Sequence, residues 1–358
     1  MLPISVCLIA KNEEEYIGEC LSRLIKYDWE IIVIDTGSTD KTVDIALTYT
    51  PNVFHFDWND DFSAARNYSI SKASNDYILV VDCDEYLVDT PLTSESINSL
   101  PYLIAPKQVG MLCRLSPSAE LDGFQSPDNL SMVRENIARF FHKSYIHYHG
   151  SIHEQLVSKD GSDLSFISLP ISFYHIGYST LEIKKSKAAR NITMLKNALD
   201  TQGPEPYLYY QLGQSYFGIA DYQQALSCFE KALSMEINEN EEYVQTLVES
   251  YGYCLFYLER YNDALGLEGI YSIFSKRADF VFLMGLIYMN NALFERAISE
   301  FHHATAIPNY SVEGVNSYKA FYNIGVIYEC LGNIPKALKY YKKCGSYSSA
   351  LHRLDMLK

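Results

Sequence analysis

The sequence of 358 residues predicts an α/β domain with a Rossmann-like sheet, followed by an all-α array of repeated helical hairpins. Short apolar strands alternate with amphipathic helices over residues 3–90, which is typical of a parallel α/β sheet. Beyond residue 206, glycines, alanines and aromatic residues recur, which is typical of a repeat array. The segment Gly203-Pro204-Glu205-Pro206 separates the two patterns, so we expect domains of 1–202 and 203–358.

The N-terminal half is expected to fold in a βαβαβ order. Strands are predicted over 3–10, 30–35, 53–56 and 76–85, and helices over 14–26, 38–49 and 62–74. Parallel strands connected in this way carry a ligand crevice at their carboxyl ends. The pattern weakens after residue 89, where we predict strands over 109–115 and 135–141 and a helix over 180–199.

The C-terminal half repeats one set of small and aromatic residues. The first copy contains Tyr209, Leu212, Gly213, Tyr216, Ala225, Phe229 and Ala232; later copies contain Gly285, Tyr288, Ala297, Phe301 and Ala304, then Gly325, Tyr328 and Ala337; a weaker copy holds Gly252 and Ala264. This pattern resembles tetratricopeptide repeats over about residues 206–345. The resemblance implies stacked helical hairpins with a concave groove for peptides or protein partners.

Composition and charge exclude several classes of protein. A hydrophobic content of 48% with 20% charged residues indicates a globular protein rather than a disordered one. The net charge of −15 argues against a nucleic-acid partner, because phosphate binding needs a basic surface. No apolar stretch approaches the roughly 20 residues of a membrane span. The N-terminal MLPISVCLIAKNEEE predicts a first strand rather than a secretory signal.

The cysteines predict a cytoplasmic protein with reduced thiols. They contain no CxxC pair and are scattered through apolar patterns, which favours core residues over a disulfide framework or a zinc site. The eight positions are Cys7, Cys20, Cys83, Cys113, Cys228, Cys254, Cys330 and Cys344.

The segment Asp82-Cys83-Asp84-Glu85 directly follows the predicted strand YILVV. Two carboxylates at i and i+2 that leave a strand point the same way, so both can reach one Mg²⁺ or Mn²⁺ that also holds a diphosphate. Acidic turns after strands are common, so the triplet alone is a weak signal. Its position at a strand end is what favours a metal site formed by Asp82 and Asp84.

Three further motifs precede this one. Ala10-Lys11-Asn12-Glu13 ends the first strand, Asp35-Thr36-Gly37-Ser38-Thr39-Asp40 ends the second, and Ala65-Arg66-Asn67 lies in the third helix. The four motifs in this order resemble the family 2 glycosyltransferases over at least residues 3–88. The resemblance implies a GT-A catalytic domain and a UDP-sugar donor.

By that resemblance, Ala10, Asn12, Glu13 and Asp35 bind the nucleotide of the donor. A carboxylate suits the uracil N–H, so Asp35 is expected to bind the base, and Glu13 to meet the ribose or to order the loop. For Asp40 and Thr42 we favour helix capping. Arg66 either steadies the diphosphate or pairs with an acid of the domain, and the residues leave both open.

A second block of motifs follows. It consists of Arg139-Phe140-Phe141, then Tyr148-His149-Gly150-Ser151-Ile152-His153-Glu154, then Phe173-Tyr174-His175-Ile176-Gly177-Tyr178, and a basic cluster at Lys184, Lys185, Lys187 and Arg190. This order resembles a narrower group within family 2 that includes the sublancin-type bacteriocin peptide glycosyltransferases, which also carry tetratricopeptide-like helices. The resemblance extends to about residue 195.

Chemistry suggests roles for this block. Inversion at an anomeric carbon needs one base for the acceptor proton, and we expect Glu154 in that role, with His153 as the competing candidate and loop bracing as the alternative for both. His175 is either a ligand beside Asp84, since imidazole suits Mn²⁺, or a core histidine. Lys185 and Arg190 either close over the diphosphate or lie on a solvated face. The zinc-like spacing of His147, His149 and His153 is discounted, because no fourth ligand accompanies it.

Three functions remain open at this point. The first is a peptide or protein glycosyltransferase that moves a hexose to Ser, Thr or Cys, with the repeats holding the acceptor. The second is glycosylation of cell-surface glycans or small molecules, with the repeats used for assembly. Whether the protein forms a homodimer is left open by the sequence. The third is a repeat scaffold with a degenerate catalytic domain, against which the intact Asp82 and Asp84 argue.

Overall fold

The computed structural model describes residues 3–88, 98–118, 131–176 and 181–357. The chain forms two compact units, Met1–Ser116 with Glu135–Ser179, and Pro117–Arg134 with Thr180–Lys358. The helix that we expected at the end of the first domain belongs to the second unit. The domain boundary between residues 202 and 203 stays a prediction.

The first unit is built on a mixed eight-stranded sheet with helices in its crossovers. Its elements are β1 (Ile4–Ala10), α1 (Ile17–Leu24), β2 (Glu30–Asp35), α2 (Thr42–Leu47), β3 (Val53–His55), α3 (Phe62–Lys72), β4 (Tyr77–Val80), β5 (Glu85–Leu87), β6 (Gln108–Ser118), β7 (Ser131–His142), β8 (Ile146–His149), β9 (Gln155–Ser158) and β10 (Ser165–His175). The order across the sheet is β3-β2-β1-β4-β7-β6-β10-β5, and β8 and β9 form a separate hairpin. The fold class that the sequence predicts is confirmed.

The first four strands of the sheet are parallel, as predicted, and the rest are mixed. β1 pairs in parallel with β2 and β4, and β2 pairs in parallel with β3. β7 then runs antiparallel to β4, and β5 antiparallel to β10. The carboxyl ends of β1, β2 and β4 therefore lie at one edge, where the sequence motifs stand.

The predicted strand over 76–85 is wrong in one respect that matters for the site. β4 ends at Val80, and the chain turns so that the Glu85 amide donates to the Asp82 carbonyl oxygen at 3.0 Å. β5 begins only at Glu85. Helix α1 is also shorter than predicted, because residues 13–16 form a turn in which the Tyr16 amide donates to the Glu13 carbonyl at 3.0 Å.

Apolar residues on successive strand positions cover opposite faces of the sheet. Val6 and Leu8 of β1 belong to one buried cluster, and Cys7 between them belongs to another. β2 shows the same alternation, with Ile31 and Val33 on one side. A sheet buried on both faces explains why the first strands are continuous apolar runs.

The second unit contains a helical array. Its helices are α4 (Leu181–Gln202), α5 (Pro206–Phe217), α6 (Tyr222–Leu233), α7 (Glu242–Tyr257), α8 (Tyr261–Ala264), α9 (Tyr271–Phe274), α10 (Ala278–Asn290), α11 (Phe294–Ala306), α12 (Tyr318–Cys330), α13 (Ile334–Lys343) and α14 (Ser348–Met356). The pairs α5 with α6, α10 with α11 and α12 with α13 are helical hairpins. These hairpins are the three strong copies of the predicted repeat.

A glycine and an aromatic ring meet inside each of these three hairpins. A β-carbon added at Gly213 would lie 2.3 Å from the Phe229 ring, and one added at Gly285 would lie 2.7 Å from the Phe301 ring. The third pair is Gly325 with Tyr341, at 2.6 Å. The recurring glycines are therefore required by close helix packing.

The linker 307–317 between α11 and α12 pairs with a short segment from far upstream in the chain. Val133 forms an antiparallel bridge with Val312, and the Arg134 amide donates to the Ser311 carbonyl oxygen at 2.8 Å. Buried Asp279 accepts from the Ser311 and Val312 amides, each at 2.8 Å. Residues 132–134 are thus part of the second unit.

The expectation that all cysteines are core residues is wrong for two of them. Cys330 is exposed and Cys113 is half-buried, whereas the other six are buried. Among the helices that the structure describes, none has the length and apolar content that crossing a bilayer requires.

We expect Gly285→Ala to destabilise the helical unit. The added methyl would overlap the Phe301 ring, and overpacking of a core costs about 1–3 kcal/mol, which outweighs the gain of about 1 kcal/mol in helix propensity. Urea unfolding followed by circular dichroism measures the change. Gly266→Ala is the matched control, since a β-carbon there has no neighbour within 4 Å. Equal stability of the two variants would contradict the packing role.

Candidate active site

The loops after β1 and β2 are bonded to one another. Register places Ala10 beside Asp35, so the two loops start side by side. The Asn12 amide donates to the Ser38 hydroxyl at 3.0 Å, and the Asn12 side chain accepts from the Thr39 amide at 2.8 Å. Asn12 has a φ of 55°, a left-handed conformation that asparagine tolerates better than most residues.

Asp35, the expected base-binding residue, is 8% exposed at the end of β2. Its carboxylate accepts from the Ser38 amide at 2.9 Å and from the Gly37 amide at 3.2 Å. Burial favours the neutral form, but these hydrogen bonds outweigh it and lower the pKa of Asp35. His55 on β3 adds a contact at 3.4 Å, which the sequence motifs did not indicate.

Other residues of the same loops brace the backbone. The Ala10 carbonyl accepts from the Thr36 amide at 2.9 Å, and the Glu13 amide donates to the Thr42 hydroxyl at 2.7 Å. Asp40 accepts from the Thr42 amide at 3.0 Å, at the start of α2. Asp40 thus accepts from the first amide of α2, but the N-cap position is held by Lys41, which makes no side-chain cap, and Thr42 is the first residue of the helix.

Asp82 is held between two arginines. Arg66 of α3 donates to one carboxylate oxygen at 2.8 Å, and Arg139 of β7 donates to the other at 2.6 Å. Burial opposes ionisation, but the charges of Arg139 and Arg66 outweigh it and hold the pKa of Asp82 well below its usual range. The question left open for Arg66 is answered in part, because it pairs with an acid of the domain.

The Asp82 and Asp84 carboxylates have different partners. Because the chain turns after β4, the strand alternation from which a shared direction was expected does not apply to them, and a metal site formed by both stays a prediction. Asp84 lies 3.5 Å from the His175 Nε2, and the Ser116 hydroxyl lies 3.2 Å from the His175 Nδ1. A carboxylate and an imidazole oriented by a hydroxyl form a donor set that suits Mn²⁺.

A cation at this position would need further ligands. Within the part of the chain that the structure describes, no group of three or more His, Cys, Asp or Glu side chains is arranged to hold a metal. Mg²⁺ sites commonly combine one or two carboxylates with substrate phosphates and water. Asp84 and His175 therefore fit a cation that arrives with a diphosphate.

The third acid of the DCDE segment is a buried network residue. The Glu85 side chain is 1% exposed, accepts from the Asp82 amide at 3.1 Å and lies 3.4 Å from Arg139. Burial raises the pKa of Glu85, although the charges of Arg139 and Arg114 oppose that shift. The sequence motifs assigned no role to Glu85 or Arg139, since a buried pairing between distant segments has no local pattern.

The predicted base candidates lie in the loop between β8 and β9. The Arg66 Nε donates to the Glu154 carboxylate, whose side chain is 12% exposed. His153 has a φ of 51°, which costs a residue with a β-carbon about 1–2 kcal/mol and is often found at functional sites. Arg66 thus brings Glu154 and Asp82 together around one guanidinium.

Asn67 holds this loop to α3. Its side-chain amide donates to the Tyr148 carbonyl at 2.8 Å, and its carbonyl accepts from the Tyr148 amide at 3.0 Å. The Phe62 amide also donates to the Ser151 carbonyl at 2.8 Å. The Ala65-Arg66-Asn67 motif therefore has two functions, one in charge pairing and one in positioning the loop.

The predicted basic cluster lies on helix α4. Lys185 and Arg190 are exposed residues of α4, which belongs to the second unit, and Arg190 donates to Asn191 at 3.2 Å. Their expected contact with a diphosphate stays a prediction. Gly177 and Tyr178 of the predicted motif lie outside the described residues.

Comparison with known families agrees with this geometry. Residues 5–93 match the profile described as glycosyl transferase family 2, and residues 206–238 and 318–349 match tetratricopeptide repeat profiles. The chain contains a family 2 glycosyltransferase domain. The matched range contains all four motifs around Asn12, Asp35, Arg66 and Asp82.

Relatives extend the likeness beyond the glycosyltransferase domain. The prophage-derived glycosyltransferase SunS of Bacillus subtilis is 28% identical over 270 residues, which cover 73% of this chain and 60% of that protein. This match confirms the predicted resemblance to the sublancin-type enzymes.

Two other relatives match shorter parts. A TPR repeat-containing protein of Synechococcus elongatus is 46% identical over 88 residues, which cover 25% of this chain and 22% of that protein. The lipopolysaccharide core biosynthesis glycosyltransferase LpsC of Rhizobium meliloti is 28% identical over 157 residues, 41% of this chain and 56% of that protein. The chain spans less than two thirds of the length of each of the three relatives.

We expect Asn67→Ala to loosen the β8–β9 loop of the glycosyltransferase domain. The substitution leaves the buried Tyr148 backbone groups without their partner, at a cost of about 1–3 kcal/mol for each unsatisfied group. Thermal unfolding and hydrogen exchange at residues 148–154 measure the effect. Asn59→Ala, at an exposed position of the same unit, should leave both unchanged. Wild-type exchange in Asn67→Ala would contradict the positioning role.

Proposed function

We propose that this protein is an inverting, metal-dependent glycosyltransferase that moves a sugar from a UDP-sugar to a Ser, Thr or Cys side chain of a peptide or protein. The family 2 domain supports glycosyl transfer. The observation that carries the proposal is the cluster in which Arg66 joins the Asp82 carboxylate to Glu154, two residues along the chain from the Asp84 that pairs with His175.

The donor is proposed to bind at the carboxyl ends of β1, β2 and β4. Asp35 accepts from the uracil N–H, and Asn12 and Glu13 with the Ala10 backbone complete the nucleotide pocket. This assignment is supported by the hydrogen bonds that already order these loops, because ordered loops lose less entropy on binding. Lys185 and Arg190 are proposed to contact the diphosphate.

Asp84 and His175 are proposed to hold Mg²⁺ or Mn²⁺, with Asp82 next to them. The cation, when bound, supplies positive charge to the leaving diphosphate. His175 is kept in orientation by the Ser116 hydroxyl at its other ring nitrogen. Asp82 is 29% exposed on its side chain, so a donor can reach it although both of its oxygens contact arginines.

Glu154 is proposed as the base that takes the proton of the acceptor hydroxyl or thiol, with His153 as the alternative. The contact with the Arg66 Nε engages one carboxylate oxygen of Glu154, and among the described residues the other oxygen has no hydrogen-bond partner. That oxygen is the one available to an acceptor.

The acceptor is proposed to be a peptide or protein held partly by the repeats. The match to SunS, which covers 73% of this chain and is therefore longer than the family 2 match alone, favours this acceptor. The eight free cysteines support a cytoplasmic reaction. Glycan acceptors are the second candidate, and the match to the lipopolysaccharide core enzyme LpsC is the observation that favours them.

We expect Asp84→Asn to lower kcat/KM by about 10²-fold or more, because the carboxylate that pairs with His175 is lost. Initial rates with UDP-sugar and Mn²⁺ measure the effect. Asp76→Asn is the matched control, as an exposed aspartate at the opposite end of β4. Wild-type turnover by Asp84→Asn, or full activity in EDTA, would contradict the cation assignment.

We expect Glu154→Gln to lower transfer by about 10²–10⁴-fold while donor binding stays near the wild-type value. A glutamine still accepts the Arg66 hydrogen bond but cannot take a proton. Product formation and calorimetric UDP binding measure the two effects. His153→Ala should lower transfer less, and the opposite ranking would assign the base to His153.

The acceptor class can be tested with the intact protein. The protein is incubated with Mn²⁺, a panel of UDP- and GDP-sugars, and a peptide library in which Ser, Thr or Cys is varied. Mass spectrometry should show a peptide that gains one sugar, with a UDP-sugar only. Transfer to glycan or small-molecule acceptors with no peptide product would favour the second candidate instead.

A further inference from the structure

The three acids of the DCDE segment each contact different side chains. Asp84 lies next to His175, whereas Asp82 lies between Arg66 and Arg139. Buried Glu85 begins β5 and contacts Arg139. All three lie within the five residues that follow β4. Asp82 is therefore held by two guanidinium groups and Asp84 by an imidazole, although the two acids are only two residues apart.

Arg139 contacts two of these three acids. Its Nη2 lies 2.6 Å from Asp82 and 3.4 Å from Glu85, so a single nitrogen bridges two acids. The Arg139 side chain is 10% exposed, so the surrounding residues restrict the position of its guanidinium group. A charge-assisted hydrogen bond of this length is among the stronger ones in proteins.

Glu85 fixes Arg139 from the other side. It also accepts from the Asp82 amide at 3.1 Å, so the same carboxylate holds both the backbone of Asp82 and the arginine on its side chain. Arg114 lies 3.6 Å from Glu85 and donates to Glu135 at 2.8 Å. Acids and arginines thus alternate from exposed Glu135 through Arg114, Glu85 and Arg139 to Asp82.

We propose that Arg139 is a positioning residue of the glycosyl-transfer site, which keeps the Asp82 carboxylate away from the cation so that Asp84 and His175 hold it. This inference rests on the proposed function. Arg139 touches Asp82 and Glu85 but no reacting atom, so it acts through Asp82.

Removal of Arg139 should have two opposite effects. Loss of the positive charge raises the attraction for a cation. Release of the Asp82 oxygen that Arg139 holds raises it further, while Arg66 keeps the other oxygen, so Mn²⁺ should bind more tightly. The released carboxylate also takes up cation charge that would otherwise act on the diphosphate, so turnover should fall. A merely structural role would lower the folded fraction and leave the Mn²⁺ constant of the folded protein unchanged.

The test compares Mn²⁺ binding and turnover in the full chain. Mn²⁺ is titrated into the protein with saturating UDP, and the electron paramagnetic resonance of free Mn²⁺ gives the dissociation constant. Arg139→Met should tighten that constant by about threefold or more and lower kcat by about tenfold or more. Arg139→Lys keeps the charge, so its constant should stay within about twofold of the wild type and its kcat should exceed that of Arg139→Met.

Measurement in the Asp82→Asn variant tests whether the effect of Arg139 depends on the Asp82 carboxylate. If Arg139 acts through the Asp82 carboxylate, adding Arg139→Met to Asp82→Asn should tighten the Mn²⁺ constant by less than half the factor seen in the wild-type background, because only the loss of the positive charge remains. The double variant removes both charges of the pair, so it serves also if the single Arg139→Met does not fold. Arg260→Met, which breaks an exposed ion pair with Asp263 in the second unit, is the control for loss of an arginine.

Each outcome has one meaning. An unchanged or weaker Mn²⁺ constant in Arg139→Met, beside normal binding by the wild type, would overturn the inference alone. An equal tightening in the Asp82→Asn background would overturn it as well. A wild type that binds neither UDP nor Mn²⁺ would overturn the proposed function and this inference with it.

Discussion

The contact of Asp82 with two arginines is the interaction on which the rest of the candidate site depends. Arg66 comes from a helix and Arg139 from a strand, so one carboxylate joins α3, β7 and the end of β4. Arg66 also reaches Glu154, which ties the β8–β9 loop to the same point. The turn that carries Asp84 therefore has its position set by charges that are distant in sequence.

Such a network is expensive to bury, and its value is geometric. Desolvation of several charges offsets most of their attraction, so a buried ion cluster adds little net stability compared with an apolar core. It does penalise every arrangement in which one charge loses its partner. The 1% exposure of Glu85 and the low exposure of Arg66 and Arg139 mean that this penalty is felt in full, which favours one arrangement of the acids.

Local patterns predicted the parallel strands, the helical hairpins and the positions of the motifs, because strand alternation, capping and close-packed glycines are set by neighbours in sequence. They did not predict the turn after Val80, which contains Asp82 and Asp84, since the apolar run continues through Val81. Nor did they predict the pairing of Glu85 with Arg139 or of His55 with Asp35, because those contacts join strands that only the folded sheet brings together.

The pairing of residues 132–134 with 311–313 has a consequence for how the protein is made. A ribosome finishes the first of these segments well before the second exists, by roughly 10–35 s at ordinary elongation rates. During that interval the edge formed by Val133 has no strand to meet, and the apolar side chain of Val312 has not been synthesised. The pairing of these two segments can therefore form only after most helices of the second unit have been synthesised. Completion of that unit is thus a late step during synthesis, after all strands of the sheet have been made.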